Sequence, residues 1–235
     1  MVNYEVKARK ELASWKLDMM KKSPLINRLS KRAQTKINQI IPTKIHVLMT
    51  ESIKKMVEAT LIGSNITTNK KMSTDSSLEL IEDKVRIKLN TYKRTAAIEG
   101  AGTGAGGIFL GIADFPLLLS IKMKFLFDTA TLYGFDINEY KERVYILYIF
   151  QLAFSSDDHR RNIFRTVENW DQNLENIDDI DWRLFQQEYR DYIDLVKLFQ
   201  LLPGIGAVVG AYANYHLLDH LGETAMYAYR MRLLL

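Results

Sequence analysis

Cysteine is absent from the 235 residues, which excludes disulfides, thiolate-bound zinc and a cysteine nucleophile. Proline is scarce: the four prolines, at positions 24, 42, 116 and 203, each stand where a helix can begin, since proline is tolerated in a first turn. A long, clean apolar run is also missing, and the mean hydropathy is −0.14. A spanning helix needs about 20 predominantly apolar residues. Residues 98–121 are long enough but carry Glu99, Asp114 and Pro116; residues 195–218 are interrupted or flanked by Lys197, Gln200, Asn214 and His216; residues 144–154 are too short. Surface or re-entrant contact with a membrane is therefore expected rather than a crossing. The charged opening from Met1 to Glu11 has no signal-peptide pattern, and a cytoplasmic location is expected. No alternating pattern of useful length marks a strand.

What remains is helical nearly everywhere. Helices are expected at 4–20, from Ser23-Pro24, from Pro42-Thr43, at 78–98, 116–133, 137–154, 157–170, 182–199 and 203–221, with Gly222 ending or bending the last before 226–235. The third repeats Ile45, Leu48, Met49, Ile53, Met56 and Val57 at helical spacing. The polar stretch 63–77 is the best internal boundary. The expected fold is all-α: one domain over 1–235, with a basic N-terminal helical hairpin and glycine-faced central helices.

Half of the twelve glycines fall between positions 100 and 111: Gly100, Gly102, Gly104, Gly106, Gly107 and Gly111. Such a run can cradle a phosphate, let two backbones touch, or enter lipid. Gly102, Gly104 and Gly107 fit G-x-G-x-x-G, and Asp128 lies near the distance of a ribose ligand. The preceding stretch from Val85 to Ile98 is not an apolar strand, however, and no Gly-Lys-Ser/Thr follows, so the phosphate reading lacks its context. Packing fits the spacing better, because Gly100/Gly104, Gly102/Gly106 and Gly107/Gly111 are each four apart on one helix face. Gly206 and Gly210, with Asn214 four further on, repeat the theme, and the two small-residue faces are expected to pair.

Charge is unevenly placed. Residues 1–94 carry a net +11 and residues 95–235 a net −7. The excess is densest at Lys16, Lys21, Lys22, Arg28, Lys31, Arg32 and Lys36, against Asp18 alone. Such a surface suits an anionic membrane or remains solvated; no nucleic-acid motif accompanies it, and no nucleic-acid partner is expected. Enzyme constellations are thin. His216 and His220 are four apart, with Asp219 and Glu223 nearby, but Leu217 stands where a zinc protease needs glutamate. Glu99 and Asp114 bracket the glycine segment and are the weak candidates for acid–base work in a hydrolase or lipid-modifying enzyme. Capping or pairing with Lys93, Arg94 or Lys122 is the plainer expectation for them. No cofactor is expected.

The motifs together carry a resemblance. Glu99-Gly-Ala with the glycine run, Gly111-Ile-Ala-Asp-Phe-Pro116, Tyr133-Gly-Phe-Asp136 and Glu142-Arg143 resemble the EcsC family of bacterial proteins. Trp15, the stretch Lys36 to His46 and Pro203-Gly-Ile-Gly-Ala-Val-Val-Gly-Ala-Tyr-Ala-Asn214 agree, so the likeness runs over nearly the whole chain. It implies association with the Ecs ABC transporter, and through it with protein secretion and membrane proteolysis; the glycine faces and the basic surface favour a non-enzymatic accessory protein at the inner membrane face over the enzyme alternative. It supplies no catalytic residue.

Overall fold

The computed structural model describes residues 2–21, 43–63, 76–105, 115–155, 157–172 and 206–234. Those residues are helical, without a strand among them: α1 (Val2–Met20), α2 (Thr43–Ile62), α3 (Leu78–Ala105), α4 (Phe115–Leu132), α5 (Tyr140–Phe154), α6 (Asp157–Glu168), a 3-10 turn (Trp170–Gln172) and α7 (Gly206–Leu234). The helices expected from Ser23 and at 182–199 lie outside the described residues, as does most of the polar boundary at 63–77.

Two long helices form the axis. Leu89 meets the backbone of Gly222, Lys93 reaches Asp219, and Glu82 reaches Arg230, so α3 and α7 run antiparallel. Tyr92 packs edge-on against Phe125, and Lys88 bonds Asp128, so α4 is antiparallel to α3 as well. The end of α3 and the starts of α4 and α7 therefore gather at one end of the bundle. α5 fills the centre: Val144–Leu147, Ile149, Phe150 and Gln151–Phe154 are buried around its whole circumference, as an all-round apolar helix requires. α1 joins through Ala8, Leu12 and Trp15, whose ring stacks on Tyr227 at 4.9 Å.

The last helix corrects the sequence reading. α7 is continuous from Gly206 to Leu234, so Gly222 does not end it. A glycine inside a helix costs about 1 kcal/mol relative to alanine. Packing is the reason for it here, because a Cβ on Gly222 would stand 2.6 Å from both Leu89 methyl carbons. Gly222 is one place where the two axial helices come close.

Candidate functional site

The end where α3 finishes and α4 and α7 begin carries the residues singled out for function. α3 continues through Gly100, Gly102 and Gly104, and α7 begins at Gly206 with Gly210 in its second turn. Gly106, Gly107, Gly111 and Asp114 lie outside the described residues. Asn214 is buried, and its Nδ2 has no hydrogen-bond partner among the described residues. Around these stand apolar and aromatic side chains in the open: Ile98 is 71% exposed, Leu117 45%, Tyr212 66% and Tyr215 37%. Arg94, one turn before Ile98, is exposed too.

Glu99 is partly exposed at this end. Lys93, one of the cations offered as its partner, instead bonds Asp219 at 2.5 Å and lies over the Tyr215 ring at 4.1 Å. Burial opposes the Lys93 charge, but Asp219 and Tyr215 outweigh it and raise its pKa. Lys122, on α4, is 4% exposed. With no counter-ion against it among the described residues, burial alone pushes its pKa down to about 8.

The histidine pair does not converge. His220 Nε2 lies 2.9 Å from the Ala153 carbonyl; since a carbonyl only accepts, Nε2 carries the proton. Burial lowers the pKa of His220 and keeps the ring neutral. His216 is exposed, with its ring 4.0 Å from that of Tyr212. Among the described residues no three potential ligands come together to hold a metal. The nucleotide alternative loses its acid as well: Asp128 is buried and accepts from Lys88 at 2.6 Å and Tyr92 at 2.9 Å.

Of the basic stretch, Lys16 pairs with Glu168 across α1 and α6 and Lys21 with Asp18 at 2.7 Å. Lys22, Arg28, Lys31, Arg32 and Lys36 lie outside the described residues.

Sequence reasoning passed over the two charge locks at the far end of α7. Arg230 forks the wholly buried Glu82 with two bonds of 2.5 Å and reaches Glu11 at 2.8 Å. Arg232 forks buried Glu142 at 2.6 and 2.9 Å and reaches Asp171 at 2.9 Å. Burial works against each guanidinium, but the carboxylates outweigh it and raise both pKa values. Bidentate geometry makes these strong, orienting contacts. The only signal in the sequence is two arginines inside an otherwise apolar stretch.

Several motif residues at 133–143 serve this same region. Gly134, at φ 88°, closes α4 in the left-handed conformation that glycine accepts freely. The reversal puts Tyr133 on Tyr229 at 5.0 Å and Phe135 under Arg232 at 3.9 Å. Asp136 accepts from the Asn138 backbone, while Arg143 donates to the carbonyls of Leu61, Ile137 and Asn138. Glu142 and Arg143 thus hold two different corners of one fold.

The model of the EcsC protein family matches residues 6–234. The chain belongs to the EcsC protein family. Protein EcsC of Bacillus subtilis (strain 168) is 56% identical over 224 residues, covering 95% of this chain and 94% of that protein. A second protein of the same strain, the uncharacterized protein YdbA, is 38% identical over 144 residues, 60% of this chain and 53% of its own length. No solved structure matches the chain significantly. No described helix is long and apolar enough to cross a membrane.

Proposed function

We propose that this EcsC protein is a non-enzymatic accessory protein that docks on the inner face of the cell membrane, where it serves the Ecs ABC transporter and protein secretion. The observation that carries the docking is the exposure of Ile98, Leu117, Tyr212 and Tyr215 at one end of the bundle. Water disfavours that set, whereas a headgroup layer accepts it: aromatic rings with a polar tip settle at the interface, and an exposed arginine one turn away favours anionic lipid. The small residues of α3 and α7 support the same reading. Carried on along both helices, the antiparallel register brings Gly102 level with Gly210, and small residues at matched positions let backbones close together. The transporter link comes from the family alone.

Sedimentation with vesicles tests the docking. The protein should pellet with phosphatidylglycerol vesicles at low salt and remain free with phosphatidylcholine. The double variant Ile98→Asp/Tyr212→Asp should bind at least about tenfold more weakly, since each charge must be kept out of the apolar layer, with an unchanged melting temperature. Equal binding by the folded double variant, or no binding by either protein, would sink the reading.

A further inference from the structure

A second surface lies against the C-terminal half of α7, away from the glycine end. On α1, Ala8, Leu12 and Trp15 face the core, while Arg9, Ala13, Lys16, Leu17 and Met20 form the neighbouring stripe. This stripe and Phe164, Arg165 and Glu168 of α6 enclose an open groove of about 550 Å³. Its floor is apolar: Leu12 and Phe164 are buried beneath it, while Leu17 and Met20 line it at 66% and 40% exposure. Its rim is basic. Glu168 is the one acid among the lining residues, and it is paired with Lys16. Arg9 donates to the neutral carbonyl of Leu234, and neither Arg9 nor Arg165 meets a carboxylate among the described residues.

We infer that this groove binds a long-chain fatty acid, with the acyl chain along Leu12, Leu17, Met20 and Phe164 and the carboxylate on Arg9 and Arg165. The stripe from Arg9 to Met20 rises about 16 Å along the helix, a length suited to an extended acyl chain. Its volume falls in the range of small-molecule sites, which pair an apolar lining with a few fixed polar groups. Charge selects the head group. Two guanidinium groups that meet no carboxylate among the described residues, one of them already donating to the Leu234 carbonyl, suit a carboxylate, and a cationic amphiphile would meet the same rim with repulsion. The inference does not rest on vesicle docking, which uses the other end of the bundle.

Tryptophan quenching by 9,10-dibromostearate, kept below its micelle concentration, reads the site directly, because the Trp15 ring lies 5.8 Å from that of Phe164. Quenching should saturate at one equivalent and be displaced by stearate but not by octadecylamine. Ala13→Phe, which fills the groove from an exposed position, should abolish it without lowering the melting temperature. Arg165→Glu should weaken it about tenfold or more. Unsaturable quenching, equal quenching in folded Ala13→Phe, or displacement by octadecylamine would overturn the inference. Association with phosphatidylglycerol vesicles but not with monomeric stearate would overturn it too, and would leave only the membrane-docking end. Should Ala13→Phe fail to fold, the competition between stearate and octadecylamine on the unaltered protein decides.

Discussion

Replacing Lys122 with methionine should stabilise the protein at neutral pH. The lysine sits on α4 at 4% exposure, and its amine titrates at about 8 instead of 10.5 because burial penalises the charge. At 1.36 kcal/mol per pKa unit the difference amounts to roughly 3 kcal/mol of instability. The sign follows from linkage. Below pH 8 both states hold the proton and the full cost stands. Between pH 8 and 10.5 only the unfolded state holds it, so stability rises with pH; above 10.5 the cost is gone. Tyr133 and Tyr229 are raised above 10 by burial, so their opposing contribution, lost as pH rises through the folded pKa, begins only above pH 10. Urea unfolding at pH 7.0, 8.5 and 9.5 isolates the lysine. The unaltered protein should gain about 2 kcal/mol across that series. Lys122→Met should start roughly 1–3 kcal/mol higher at pH 7.0, a rise of about 2–4 °C in melting temperature per kcal/mol, and should lose the slope. A methionine variant less stable at pH 7.0, or one keeping the full slope, would show that Lys122 has a counter-charge and would refute the reasoning.

Two further outcomes test the axis and its locks. Gly222→Ala sets a helix-propensity gain of about 1 kcal/mol against overlap with Leu89 worth about 1–3 kcal/mol; it should destabilise the native protein yet stabilise a Leu89→Ala background, and the same sign in both backgrounds would remove the contact from the account. Arg230→Met should cost about 2–4 kcal/mol, because buried Glu82 loses its two-bond fork and keeps only the Tyr4 hydroxyl at 2.6 Å and the half-exposed Arg86 at 3.3 Å. Adding Glu82→Leu should recover most of that in a double-mutant cycle of urea midpoints, and strict additivity would show that the pair is not coupled.

The distance between partners decided how much was legible. Residues a few positions apart report on one another, so the missing strand pattern, the proline positions and the spacing in Ile45–Val57 were enough for an all-α chain with most helix bounds. The family motifs could be read for the same reason, as short strings. Their roles could not: Glu142 and Arg143 are neighbours in sequence, yet one holds Arg232, 90 residues on, and the other Leu61, 82 residues back. The histidine pair shows the opposite failure. A spacing of four puts two rings on one face, but Ala153 from another helix takes up His220 and turns it away from any shared ligand.

The sequence by itself determined the helices, because periodicity and breakers act within a turn or two of the chain. It also marked small residues as a contact theme. Only the tertiary structure decided that Gly222 serves as such a contact, since it is defined by Leu89, a residue far away in the chain. It alone decided that Glu82 and Arg230, 148 positions apart, share one buried pair, and that Lys122 is left charged where water is scarce. Charge–charge distance and burial are properties of packed neighbours, and a single helix does not contain them.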